Sequence, residues 1–504
     1  MNMARNISRR GFLVSTGLVG AAVAAGALAA CSSDGRDGAD VERPSPLAGA
    51  ASLDRTTVVA HDPTGALTSA ALFASTQVAV VVTDDTRLGD GASLSHDHGI
   101  PLLVVSSPAD RDTVGAELDR LSPDHVLVLG DENAVPGDDD RTTHPVDGTT
   151  WPEKVPTGST ASRSGVALAS TFTTPASAAT AAASGLRLVR TPAADPRSTD
   201  ESIDAVTGAD ADGAPVVALG DRFGDTDTVA RRVHLAGEVS ERIPGGGGVV
   251  FPGRRMVALY GHPSGPALGC LGEQDRDAAV TRAKEAADLY APLSDVPVVP
   301  TFEIIATVAA SEAGPSGTFS NYTDPGEIEP WIDAIVRGGG YAIIDVQPGR
   351  EKLLTQVRHY EDLIRRPGVG VALDPEWRLG PGEQPLSQVG HVPAEEINEV
   401  VDWLDHLVAE EKLQQKLLMI HQFQLQMIRD RERMSVGTDN VCVAVHCDGH
   451  GGTDIKMETW NVVRKGLDPR IGLGWKNFYD EDQPMLTPEQ TMQVRPAPDF
   501  VSYQ

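Results

Sequence analysis

The run Val369-Gly370-Val371-Ala372-Leu373-Asp374-Pro375-Glu376-Trp377-Arg378 reads as a buried strand that ends in two carboxylates one residue apart, followed at once by a tryptophan. Side chains two positions apart on a strand share a face, so Asp374 and Glu376 are expected to look into the same space. Other short apolar runs in the last half of the chain also end in polar or aromatic residues. A parallel barrel presents its site in this way, because its strands deliver functional side chains at their C-terminal ends.

Working outward from that run, eight strands are expected at 256–260, 298–304, 341–346, 370–374, 417–422, 441–446, 471–475 and 500–503. Helical patterns separate them; in 395–412, Ile397, Val400, Val401, Leu404, Leu407 and Val408 recur at helical spacing with acids between them. Eight strands alternating with helices predict a (β/α)8 barrel of TIM type over residues 251–504, with no helix after the eighth strand. The first strand is followed by His262, the second carries Glu303, and the third delivers Asp345 and Gln347. The fourth delivers Asp374, Glu376 and Trp377, and the fifth His421 and Gln422. The sixth delivers His446, Asp448 and His450, and the seventh Trp475, Lys476 and Tyr479. Carboxylates crowded with aromatic and amide side chains suit a sugar, since aromatic faces stack on pyranose rings while carboxylates bind hydroxyls and exchange protons. Asp345, Gln347, Trp377, His421, Gln422, Trp475, Lys476 and Tyr479 are the expected substrate-binding residues.

The alternation His446-x-Asp448-x-His450 lets all three side chains meet one divalent metal, with His262, Glu303 or His421 completing the shell. That pattern supports a metal-dependent hydrolase as a rival to carboxylate chemistry; without it, no cofactor is expected. The bland alternatives are loop histidines bonded to backbone, and an Asp374/Glu376 pair neutralised by Arg378 or Arg350. Cys442 and Cys447 lie five apart on one expected strand, hence on opposite faces. Buried free thiols are expected there, with a bridge from Cys270 to either one left open.

The Asp374-x-Glu376 strand end resembles the barrels of glycoside hydrolases that carry Asp-x-Glu on one strand. The resemblance implies Glu376 as general acid, Asp374 as its partner, and Glu303 or Asp448 as the second carboxylate. Val369 and Ala372 stand where the fuller chitinase-type signature has acids. The segments YGHP, FEIIATVA, DPEWRL, HQF, DGHG, GWKNFYDED and DFVSYQ also resemble an uncharacterised family of secreted proteins from high-GC Gram-positive bacteria.

Upstream, continuous apolar runs at 57–60, 78–82, 101–105 and 125–129, then at 165–168, 186–189 and 215–219, suit strands covered on both faces of parallel α/β sheets. Val128-Leu129-Gly130-Asp131 is echoed by Ala218-Leu219-Gly220-Asp221, which suggests two related units within residues 54–250. No GxGxxG or GxxxxGK[ST] loop is present, so the expectation is a flavodoxin-like, repeat-type domain without a nucleotide. The pattern GIPLLVV (99–105), a helix holding Glu117-Leu118-Asp119-Arg120-Leu121, then HVLVLG (125–130), resembles cell wall-binding repeat type 2 of Gram-positive surface proteins. The resemblance implies a cell-wall polymer as partner. Pro244-Gly245-Gly246-Gly247-Gly248 marks the boundary to the barrel.

At the front, Ser8-Arg9-Arg10-Gly11-Phe12-Leu13 precedes an Ala/Gly-rich run too weak in Leu and Ile for a membrane-spanning helix, which ends in Leu28-Ala29-Ala30-Cys31. These residues resemble a twin-arginine export signal with a lipobox, implying cleavage before Cys31, a lipid on its thiol, and an extracytoplasmic protein held at the membrane. Residues 32–53, rich in Ser, Gly, Asp and Pro, read as a flexible tether. A net charge of −29 repels phosphate backbones, so nucleic acid is not expected as a partner. The sequence therefore predicts a lipid-anchored protein whose barrel acts on a cell-envelope or environmental glycan by general-acid catalysis. The alternatives are a non-catalytic glycan-binding lipoprotein and the metal-dependent hydrolase.

Overall fold

The computed structural model describes residues 45–136, 141–160 and 163–504. The expected export signal, Cys31 and most of the expected tether lie outside them. Among the described residues, no helix is long and apolar enough to cross a membrane. Order begins earlier than the tether's expected end at residue 53, because Ala48–Ala50 pairs antiparallel with Phe73–Thr76 and Leu47 is buried.

The first half builds two four-stranded sheets. Strands β1 (Thr56–Val59), β2 (Val78–Val82), β3 (Leu102–Val104), β4 (His125–Leu129), β5 (Thr142–Pro145), β6 (Val166–Ser170), β7 (Arg187–Thr191) and β8 (Val216–Leu219) assemble in the orders β3-β2-β4-β5 and β7-β6-β8-β1. All neighbours within these two sheets run parallel. Each sheet thus has the order second, first, third, fourth, which is the flavodoxin-like winding cut at four strands. In the second sheet the fourth place is filled by β1, which comes from the front of the chain. The two echoed Leu-Gly-Asp segments end the equivalent strands β4 and β8, and Gly130 and Gly220 hold φ of 125° and 123°. Only glycine adopts that backbone without strain, which explains why the turn repeats in both units.

The second half is a closed parallel barrel. Strands β9 (Arg255–Gly261), β10 (Val298–Ala309), β11 (Tyr341–Val346), β12 (Val369–Leu373), β13 (Lys416–His421), β14 (Val441–Cys447), β15 (Gly472–Asn477) and β16 (Phe500–Tyr503) pair in chain order, and β9 closes the ring onto both β10 and β16. Helices Arg276–Tyr290, Pro325–Arg337, Ala394–Glu411 and Thr453–Arg464 pack outside it. Inside, the lower layers are apolar: Met256, Ala258, Val299, Tyr341, Ile343, Ala372, Leu417, Met419, Ala444 and Phe500 form one buried cluster. Toward the C-terminal ends of the strands the inward positions turn polar, giving Tyr260, Glu303, Asp345, Asp374, His421, His446, Lys476 and Ser502. The period-2 geometry of strands puts Tyr260 above Ala258, Asp345 above Ile343, His421 above Met419 and His446 above Ala444, while Glu303 sits above the buried Thr301. Cys270, Cys442 and Cys447 are all free and buried, so no bridge forms among them.

The glycine run at 244–248 is packed against Arg254. Arg254 is 1% exposed, and its guanidinium donates to the carbonyls of Val250 (3.2 Å), Gly246 (2.7 Å), Val249 (2.8 Å) and Pro244. Burial lowers its pKa to about 10. Arg254→Met orphans these carbonyls and is expected to cost about 3 kcal/mol, read as a lowered urea midpoint. A midpoint shift worth under about 1 kcal/mol would show that water replaces the guanidinium.

Candidate active site

The polar layer at the C-terminal ends of the barrel strands is organised by His421. Its Nδ1 lies 2.8 Å from Asp448 Oδ2, and its Nε2 lies 2.9 Å from Glu303 Oε1 and 3.9 Å from Asp345 Oδ1. Glu303, Asp345, His421 and His446 are all 0% exposed. Burial alone would depress the His421 pKa; the carboxylates of Glu303 and Asp448 overcome it and hold the ring well above the ordinary histidine value. His446 goes the other way, well below that value, through burial and the neighbouring His421. Its Nε2 meets Ser502 Oγ at 3.0 Å, and its Nδ1 lies 3.8 Å from Glu303 Oε1.

Tyr260 donates to Asp345 Oδ2 at 3.0 Å, and Lys476 Nζ lies 3.6 Å from the centre of the Tyr260 ring. Burial raises Asp345 to about 6 against the pull of His421. Above this layer opens a cavity of about 620 Å³, whose walls include Gln347, Asp374, Glu376, Trp377, Asp448 and Lys476. The strand ends at Leu373, and Asp374 caps a short 3-10 turn, Pro375–Trp377, by accepting from the Glu376 N–H at 3.1 Å. The two carboxylates share one space as expected, although a turn rather than continued strand alternation places Glu376 there. Burial, then the negative charge of Asp448, raises Glu376 to about 6. Burial also pushes Asp374 well above the ordinary carboxylate range. Burial would raise Asp448 too, but the hydrogen bond from His421 outweighs it and leaves that carboxyl below its usual value.

Neither arginine considered as a neutralising partner takes that role. Arg378 pairs with Glu396 at 3.3 Å and donates to the Glu351 carbonyl, while Arg350 donates to the Glu383 carbonyl at 2.9 Å and lies over Phe319.

Three expected substrate-binding residues lie elsewhere. Trp475 follows an inward Gly474 and precedes an inward Lys476, so parity turns it out of the barrel; it packs against Trp460 and donates to Asn477 Oδ1 at 2.9 Å. Gln422, one past the inward His421, donates to the Gln424 carbonyl at 3.2 Å. Tyr479 is 43% exposed and stacks on Tyr503. The histidine set also differs from expectation. His450 is exposed against Phe478, and His262 is held by Ser264 and Thr323. Among the described residues, the group able to hold a metal is instead Glu303, His421 and His446, whose ligand atoms lie within 4.8 Å of one another. Tyr260 and Ser502 were not anticipated; their signal was the same period-2 parity that places Ala258 and Phe500 inside.

No family model matches the chain, and no curated protein matches it. Among solved structures the chain is similar to Cwp6 from Clostridium difficile, at 11% identity and a TM-score of 0.27, over 60% of this chain and 63% of that one. The chain thus spans less than two thirds of that protein's length.

Proposed function

We propose that the barrel mouth hydrolyses a glycosidic bond, with Glu376 donating the proton to the leaving oxygen and Asp448 acting as the ionised carboxylate. What carries this is that Glu376 and Asp448 line one cavity in opposite electrostatic environments. One carboxyl that keeps its proton beside one that does not is the pairing that acid and base roles require. Asp374 fixes the turn that presents Glu376, and Trp377 offers a ring face at the cavity wall, as a sugar ring uses. On this proposal residues 54–250 face a wall polymer and 251–504 cleave a glycan. A lipid on Cys31, left after cleavage of the leader, would hold both at the outer face of the membrane.

The test is release of reducing ends from a panel of purified envelope polysaccharides by the full chain, with Glu376→Gln as comparison. Retention of the protein on a glycan without any release would make it a binding protein. The pH profile follows from the carboxyl at about 6. A general acid works only while protonated, so kcat/KM is expected to hold at acidic pH and to fall tenfold per pH unit above about 6. On the acid side Asp448 stays ionised below the usual carboxylate range, which keeps the optimum acidic. A profile flat from weakly acidic to weakly alkaline pH would rule out Glu376 as the acid.

A further inference from the structure

Beneath the cavity, Glu303, His421 and His446 come from three different strands and are fully enclosed. Each imidazole has one nitrogen engaged on its far side, His421 Nδ1 by Asp448 Oδ2 at 2.8 Å and His446 Nε2 by Ser502 Oγ at 3.0 Å. The other two nitrogens turn toward Glu303 Oε1, at 2.9 and 3.8 Å. A ring held from behind by a carboxylate or hydroxyl, with its free nitrogen aimed inward, is how metal-ligating histidines are oriented. Three atoms around this point have no hydrogen-bond partner although fully buried: Glu303 Oε2, His446 Nδ1 and Asp345 Oδ1.

A protonated His421 bridging Glu303 and Asp448 accounts for His421 but leaves those three atoms unpaired. A cation held by Glu303 Oε1 also engages His446 Nδ1 and Asp345 Oδ1. We infer that Glu303, His421 and His446 bind one divalent transition ion of the zinc class below the cavity floor. Two imidazoles and a carboxylate exclude a calcium- or magnesium-type site, which takes oxygen ligands. A tetrahedral ion with bonds of about 2.0–2.1 Å holds its ligand atoms about 3.3 Å apart, and the 2.9 and 3.8 Å separations bracket that value. Asp345 Oδ1, 3.9 Å from His421 Nε2, is the nearest carboxylate to complete the shell. Full enclosure by four protein ligands is the pattern of ions that hold structure rather than turn over substrate. The ion therefore ties β10, β11, β13 and β14 together and fixes the field under Asp374 and Asp448. The inference is independent of glycan cleavage and stands or falls by metal binding alone.

The full chain, stripped with chelator and desalted, is titrated with Zn²⁺ alone, with elemental analysis and calorimetry as readouts. One Zn²⁺ per folded chain is expected, together with a rise in Tm and, with Co²⁺ in its place, the visible absorption of a tetrahedral nitrogen/oxygen site. His446→Ala is expected to abolish the uptake. Ser502→Ala, which removes only the support behind His446, is expected to weaken it by roughly 10–100-fold while leaving the circular dichroism unchanged, so a misfolded histidine variant does not end the test. No stoichiometric uptake by the folded chain would overturn the site. Uptake undiminished in both variants would overturn it as well, by placing the ion elsewhere, as at the His125–His144 pair.

Discussion

Glu376→Gln is expected to lower kcat/KM for a natural glycan by about 10³-fold, the middle of the range that a positioned general acid contributes. The substitution is nearly silent in every other respect. Glutamine has the shape of the protonated carboxyl, and among the described residues no hydrogen bond ties the Glu376 side chain, so folding stability should barely move. Burial and the charge of Asp448 keep the native side chain protonated up to about pH 6. The variant replaces that neutral acid with a neutral amide that has no proton to give, so the alkaline limb of the pH profile should vanish with the activity. A second substrate sharpens the result. An aryl glycoside whose phenol departs without protonation bypasses the acid, and its hydrolysis should fall far less than that of the glycan. Equal losses on both substrates would show that Glu376 positions the sugar instead of protonating the leaving group.

The barrel was legible because its strands obey two rules at once. The stretches Tyr341–Ile344 and Leu417–Ile420 are apolar throughout, since one face meets helices and the other the barrel interior, and each is followed at once by a residue that chemistry can use, Asp345 and His421. Eight such runs with helical spacers admit few other arrangements. What failed was parity at the strand ends. Trp475 and Gln422 are adjacent in sequence to the inward Lys476 and His421, and neighbours on a strand face opposite sides; an aromatic or amide near a site is not thereby in it. Tyr479 lies beyond Asn477, where the strand has ended and alternation no longer constrains direction. His450 falls past the strand as well, and its exposure follows from the Gly449-x-Gly451-Gly452 turn around it. Glu303 was legible as a carboxylate inside an apolar run, but its pairing with His421 shows only when the ring closes and brings β10 opposite β13. In the first half, the sequence echo revealed the two units, but the crossing of β1 into the second sheet leaves no local trace, because a strand's sequence records its burial and not its neighbours. At the connector 244–248 the glycines mark conformational freedom, whereas its fixed geometry comes from Arg254, several residues downstream.

Asp448→Asn is expected to reduce hydrolysis at least as severely as Glu376→Gln, by about 10³-fold or more, which corresponds to about 4 kcal/mol of lost transition-state stabilisation. Asp448 is placed to carry the negative charge of the site: Oδ2 is held by His421 at 2.8 Å, while Oδ1 has no partner. Asparagine preserves the first contact, since its amide oxygen also accepts from His421 Nδ1–H, and it removes the charge that an oxocarbenium-like transition state needs nearby. A purely structural role would predict a lowered Tm in proportion to the lost activity; a catalytic role predicts lost activity with Tm nearly unchanged. Shortening the side chain separates the two further. In Asp448→Ala the vacated space admits a small anion, and added azide or formate is expected to restore part of the turnover on an activated aryl glycoside. Restoration with a glycosyl azide as product would identify Asp448 as the group that meets the sugar carbon, whereas restoration without it would make the carboxylate the base that activates water. If neither anion restores turnover and Asp448→Asn melts well below the parent, Asp448 serves only to orient His421, and the carboxylate opposite Glu376 has to be sought at Asp374 or Asp345.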